Sequence, residues 1–155
     1  MTTDIKEISD IFSIFHDGGI TKFEERQDFS LMHIDCMYLA ERIDKDFTSF
    51  VLKIYNPKDI QLKTWPQDKK DEAKIIKDIN IIFQTELDIY RSEIVNGKLL
   101  VYVGQNLDNS LEYAGGDLTF DCSAIEIFDQ NNNIIHYSDL VAVCKKYWDD
   151  FETKK

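Results

Sequence analysis

Between Asp4 and Phe15 the apolar residues Ile5, Ile8, Ile11, Phe12 and Phe15 recur three and four apart, which predicts a helix with one buried stripe. His16-Asp17-Gly18-Gly19 ends it, with glycine expected in the left-handed conformation after the last turn. The texture then changes to that of strands. Ile20 to Glu25 and Phe29 to Tyr38 flank the polar Arg26-Gln27-Asp28 and read as a hairpin. In the second of these, Met32, Ile34 and Cys36 alternate with Leu31, His33 and Asp35, as on a sheet wet on one side. Phe50 to Tyr55 and Ile60 to Trp65 read as another strand pair, joined by Asn56-Pro57-Lys58-Asp59. Pro66 to Lys77 is highly charged, and Ala73, Ile76 and Ile79 there suggest a short surface helix.

Asn96-Gly97 is the sharpest local signal, because a type I′ turn needs positive φ at both central residues. A two-residue loop at this point sets Val95 against Lys98, Ile94 against Leu99, Ser92 against Val101 and Tyr90 against Val103. Tyr90, Ile94, Leu99, Val101 and Val103 should then share the core face. Asn106 to Ala114 reads as a polar connection that ends at Gly115-Gly116. Leu118, Phe120 and Cys122 alternate on one parity and Ile125 and Ile127 on the other, so Ser123-Ala124 should hold a bulge or corner. A turn at Asn131-Asn132-Asn133 and a short strand from Ile134 to Tyr137 lead to a terminal helix, with Ser138 as its expected N-cap. The stripe of that helix is Leu140, Cys144, Tyr147, Trp148 and Phe151, and it should bury against the sheet that carries the Asn96-Gly97 hairpin. A fully buried Trp148 would cost about 3–5 kcal/mol on truncation to Ala. The whole chain, residues 1–155, is expected to be a single α+β domain, an antiparallel sheet of about eight short strands with an N-terminal and a C-terminal helix.

Composition narrows the function classes. With 29 acidic against 18 basic residues the net charge is -11, which disfavours direct contact with nucleic acid phosphates or an anionic membrane and permits a basic protein as partner, although the plainer reading is that net negative charge keeps a protein in solution. No apolar run approaches a bilayer span and the first residues carry no signal-peptide pattern, so a cytoplasmic location is expected. The three cysteines, Cys36, Cys122 and Cys144, are too dispersed for a CxxC and read as reduced packing thiols.

Candidate chemistry is sparse. No phosphate-binding glycine loop, zinc spacing or nucleophile motif is present, and no cofactor is expected. His16-Asp17 has the look of a carboxylate-oriented imidazole, although a turn before two glycines accounts for Asp17 equally well. His33 and Asp35 share a strand face and, with His16 and Asp17, could form a metal-dependent or acid–base hydrolase site; a solvated sheet face is the plainer reading. His136 reads as a residue leading into the last helix. Asp149, Asp150 and Glu152 crowd the C-terminal end of that helix, where they oppose its dipole; a partner surface would explain that cost, and a frayed end offset by Lys154 and Lys155 is the plainer reading.

Three segments together carry a resemblance: Phe15-His16-Asp17-Gly18-Gly19-Ile20, Gly115-Gly116-Asp117-Leu118-Thr119-Phe120, and Tyr147-Trp148-Asp149-Asp150-Phe151. Their order resembles small, uncharacterised bacterial β-rich domains with an early FHDG-I turn, similar to immunity proteins of polymorphic toxin systems. The resemblance implies a stoichiometric, non-enzymatic binder, such as an inhibitor of a basic toxin or nuclease. It brings no catalytic residues. The expected binding residues are His16, Asp17, Asp149, Asp150 and Glu152.

Overall fold

The computed structural model describes residues 1–66, 70–105 and 113–153. Helix α1 (Ile5–Ile14) is capped by Asp4, whose carboxylate accepts from the Lys6 amide at 2.8 Å. Strands β1 (Gly19–Glu25) and β2 (Phe29–Asp35) form the expected hairpin. Where a continuing strand was expected, Met37–Ala40 forms a short helix, α2. Next come β3 (Ser49–Tyr55), β4 (Lys58–Thr64), the two-residue β5 (Ile75–Ile76) and a one-turn helix α3 (Ile79–Ile82). The chain continues with β6 (Leu87–Val95), β7 (Lys98–Gln105), β8 (Gly115–Asp121), β9 (Ala124–Phe128), β10 (Ile134–Ile135) and helix α4 (Tyr137–Thr153). Among the described residues the fold is α+β with ten strands in one antiparallel sheet, against about eight expected; the two-residue β5 is the strand the sequence did not suggest.

Pairing follows the order β10-β9-β3-β2-β1-β6-β7-β8-β4-β5. The expected pair of β3 and β4 does not exist. Asn56, at φ 49°, turns the chain into Pro57, and β3 continues round a corner as β4. Cys122-Ser123 makes the matching corner between β8 and β9. The two bent strands run together, since β3 pairs with β9 on one side of the corner and β4 with β8 on the other. Asn56 Nδ2 donates to Ser123 Oγ at 3.0 Å between the corners. Traced this way the sheet closes into a ring, β1-β2-β3/β4-β8/β9-β7-β6 and back to β1. Closure removes long exposed edges.

The last seam is short. β1 meets β6 only at Gly19–Asp88 and Ile20–Leu87. Two further bonds clasp it: the Asp17 amide donates to the Ile89 carbonyl at 2.9 Å, and the Ile89 amide to the Gly18 carbonyl at 2.8 Å. Asp17, not a glycine, takes the left-handed conformation here, at φ 65°. Gly18 is required by space instead. A Cβ there would lie 2.7 Å from the Asp35 carbonyl oxygen and 2.9 Å from that of Phe15.

The inward faces make one core. α1 lies against it, with Phe12 edge-on to Phe120 at 5.8 Å and Phe15 tilted on Phe50 at 5.0 Å. Ser13 Oγ donates to the Ser92 carbonyl, and the Ser92 amide donates back to Ser13 Oγ, both at 3.1 Å, which fixes α1 on β6. The Asn96-Gly97 hairpin has the expected register from Val95–Lys98 to Ser92–Val101. Beyond Arg91 it slips: a bulge at Tyr90 sets Ile89, not Tyr90, opposite Val103, so Ile89 enters the core and Tyr90 is expelled to 51% exposure. The corner expected at Ser123-Ala124 sits one residue earlier.

α4 departs most from expectation. It lies on α1 and α2 rather than on the hairpin sheet, and of its residues Leu140 alone is buried. Its first turn has no side-chain cap from Ser138; the His136 carbonyl accepts from the Asp139 and Leu140 amides, both at 3.0 Å. The surface helix expected over Pro66–Lys77 falls partly outside the described residues; within them, Ile75–Ile76 is strand and the helical turn comes later, at α3. Of the connection expected over Asn106–Ala114, residues 106–112 also lie outside. Cys36 is buried, and Cys122 and Cys144 are half-buried; all three are free thiols. No helix among the described residues is long and apolar enough to cross a membrane.

The clasp gives a stability test. Gly18→Ala should lower the unfolding free energy by about 1–3 kcal/mol, read as a lower urea midpoint at constant m-value, because the obstructing atoms are backbone carbonyls. A Gly97→Ala control is strained only by its φ of 75°, with no atom within 4 Å of the added carbon. An unchanged midpoint for Gly18→Ala would mean the seam is not closed by this contact.

Candidate binding surface

The turn after α1 and the end of α4, far apart in sequence, meet. The His16 imidazole stacks on the Trp148 indole with centroids 5.5 Å apart and planes 14° from parallel. Its Nδ1 lies 2.8 Å from the Ser13 carbonyl, the geometry of a donated bond, and its Nε2 lies 3.8 Å from Asp17. Tyr38, delivered by α2, donates its hydroxyl to the His16 carbonyl at 2.8 Å and tilts its ring against Tyr147 at 4.7 Å. Burial holds the Tyr38 phenol well above its ordinary pKa, so it remains a donor. Arg42, just beyond α2, places its guanidinium 5.3 Å from the centre of the Tyr147 ring and bonds Asp150 at 2.5 Å. Trp148 packs edge-on to Phe151, which is 44% exposed. The α4 stripe is thus a half-buried aromatic layer between the turn and solvent.

The predicted binding residues therefore divide. His16 and Asp17 adjoin α4 directly. Asp150 is tied to Arg42, which offsets part of its conflict with the helix dipole. Asp149 and Glu152 are exposed, with no ion pair among the described residues. Trp148 is only half-buried, so the larger truncation cost expected of a core tryptophan does not apply; about 1–3 kcal/mol is appropriate for this packing.

His33 and Asp35 share the outer face of β2, as their spacing requires, but His33 is engaged elsewhere. Its Nε2 lies 2.9 Å from Glu24, and that bond, followed by the one from Lys22, lowers the Glu24 carboxyl to about 2. Asp35 joins a different group. The registers Asp35–Gly19, Gly19–Asp88, Asp88–Gly104 and Gly104–Gly115 place these residues in one row across five strands, all on the outer face. The Glu86 carboxylate folds over Gly19, where an added Cβ would come within 2.2 Å of its oxygen. Partial burial, then the charges of Asp88 and Asp35, raise the Glu86 pKa; partial burial, then Asp17, raise that of Asp88. Asp17 thus belongs electrostatically to both groups. No Lys or Arg lies within ion-pair distance of Asp17, Asp35, Glu86 or Asp88 among the described residues.

Sequence reading missed Glu86 and Asp88. Their signal was available only through the β1–β6 seam, a pairing between segments that are distant in the chain. Among the described residues no three His, Cys, Asp or Glu side chains converge as metal ligands. A concavity of about 530 Å³ opens at the far end of β6 and β7, lined by Asp59, Gln61, Lys77, Asn96, Lys98 and Asp121 among others, and its lining offers no imidazole or thiol. No protein-family model, curated protein or solved structure matches the chain.

The raised carboxyl groups make a pH prediction. A carboxyl with a raised folded-state pKa costs stability once ionised in the fold, and the cost disappears as pH falls through that pKa. Asp88→Asn should therefore raise the denaturant midpoint at neutral pH and converge with the parent near about pH 4. A variant less stable than the parent at neutral pH would show that Asp88 makes a favourable interaction instead.

Proposed function

We propose that this protein is a non-enzymatic, stoichiometric binder of a basic protein, with its contact surface on the turn after α1 and the C-terminal half of α4. The observation that carries the reading is the His16–Trp148 stack. It joins a half-exposed aromatic layer to carboxylates on two sides: Asp149 and Glu152 on the helix, and Asp17, Asp35, Glu86 and Asp88 on the sheet. Aromatic anchors within a polar rim are the usual anatomy of a protein interface with high-energy contacts, and carboxylates in that rim select a basic partner. The repulsion that Asp88 and Asp35 exert on Glu86, and Asp17 on Asp88, is relieved when a cation arrives, so part of the binding energy is already stored in the free protein. An immunity-type inhibitor of a basic toxin or nuclease is the kind of protein that fits this chemistry, and it agrees with the resemblance of the FHDG-I turn. A bacterial cytoplasm is the corresponding location.

The hydrolase reading built on His16, Asp17, His33 and Asp35 has less support, since His33 is held by Glu24 and His16 by Ser13 and Trp148.

The test is affinity capture from the source cell, followed by titration of the captured protein. A basic partner should bind at one-to-one ratio. Asp149→Lys with Glu152→Lys should slow association at low salt, with the difference shrinking as salt rises. Trp148→Ala should speed dissociation by roughly tenfold or more, because the loss of an aromatic anchor appears in the off-rate. An acidic partner, or a basic one indifferent to all three changes, would rule the proposal out.

A further inference from the structure

We infer that the outer face of β6–β8 carries an arginine-binding platform made by Trp65 and Tyr90. The inference rests on the reading of a basic protein partner and names the side chain that this part of the surface takes.

Both rings lie on glycine. A Cβ on Gly104 would come within 1.9 Å of Tyr90 Oη, and one on Gly115 within 2.7 Å of Trp65 Cζ3. Gly104 and Gly115 are register partners on β7 and β8, so the two rings rest side by side on one backbone bed. Their centroids are 6.2 Å apart and their planes differ by 16°, an offset, near-parallel stack. The Trp65 indole N–H donates to Asp117 Oδ1 at 2.7 Å, which fixes that ring and leaves the other carboxylate oxygen at its edge. Tyr90 reaches the platform only because the β6 bulge expels it from the core, the kind of irregularity that re-aims a side chain. An exposed aromatic kept at the cost of a broken ladder calls for a contact.

The occupant is set by shape and charge. A compact ammonium is best held by rings that face it from several directions, whereas near-parallel aromatic faces suit a planar cation. Guanidinium is planar, stacks on aromatic faces and is bonded in its plane by carboxylates. Carboxylates stand at both edges: Asp117 beside Trp65, and Asp88, the register partner of Gly104, toward Tyr90. The same chemistry occurs within the molecule next door. The Arg91 guanidinium lies 4.4 Å from the centre of the Tyr102 ring and 3.5 Å from the Glu93 carboxylate, and Tyr102 is 6.3 Å from Trp65. The platform continues the carboxylate row toward the His16–Trp148 stack, so a partner lying along the row would set an arginine on Trp65–Tyr90.

The experiment compares an oligo-arginine and an oligo-lysine peptide of equal length, titrated calorimetrically into the full chain at low salt. Native protein should bind the arginine peptide roughly threefold to fivefold more tightly, the range expected of a cation–π contact at an exposed site. Tyr90→Leu removes the aromatic face, including the Oη, Cζ and Cε2 atoms that lie over Gly104, and should bring the two affinities together. Trp65→Leu should do the same, and Trp148→Ala should leave the preference intact. Equal affinities in the native chain, a preference that survives Tyr90→Leu, or no binding of either peptide would overturn the platform. Equal affinities that both fall on Asp149→Lys with Glu152→Lys would overturn it while leaving the protein-binding proposal standing. Failure to capture any basic protein, with the arginine preference present, would do the reverse.

Discussion

Closure of the sheet at the β1–β6 seam is the constraint on which the rest depends. Five of the six junctions between neighbouring strands of the ring are extended ladders; the sixth has two residue pairs and a clasp. That clasp is the His16-Asp17-Gly18-Gly19 turn. Its geometry allows no side chain at Gly18 and sets Asp17 at positive φ, a conformation Asp tolerates better than most residues. With the seam closed, α1 can bury Phe12 and Phe15 against strands from both halves of the ring. With it open, β6 would lose its neighbour and α1 its floor.

The proposed function uses the outside of the same construction. Closing the seam brings Asp88 beside Gly19 and Asp35, and holds Asp17 within electrostatic reach of Asp88. It also presents the His16 ring to α4, where Trp148 stacks on it. Stability and binding therefore oppose each other at this place. The fold tolerates neighbouring carboxylates without a counter-charge and an aromatic layer that is only half covered, and the proposed basic partner would relieve both.

Local signals were legible in the sequence where one residue type answers one geometric need. Asn96-Gly97 fixed its hairpin register for five pairs, from Val95–Lys98 to Arg91–Tyr102, and the stripe of α1 lay where the period put it except at Ile5, which is exposed. The parity change between Phe120 and Ile125 announced the β8–β9 corner. Legibility failed where distant segments decide. Tyr90 alternates correctly for the core, and only pairing with β7 shows the bulge that expels it. Asn56-Pro57 has the composition of a hairpin turn, yet the strands on either side pair with β9 and β8 instead. The stripe of α4 is apolar enough for burial, but α1 already occupies the inward face, so α4 settles on α1 and α2 with its aromatics half exposed. For the binding surface, His16, Asp17, Asp149, Asp150 and Glu152 could be picked out singly as odd placements of charge. Their meeting through Trp148, and the row that adds Glu86, Asp88 and Tyr90, belong to tertiary structure alone.

The central claim is that a basic partner lies on the surface around the His16–Trp148 stack. Amide hydrogen exchange of the chain, alone and saturated with the protein captured from its source cell, tests this most directly. The account predicts new protection in the turn from His16 to Gly19 and in the last two turns of α4, with no change at the Asn96-Gly97 hairpin tip. Protection confined to the outer face of β2 and β3, around Leu31 and Val51, with the turn and α4 unaffected, would contradict it.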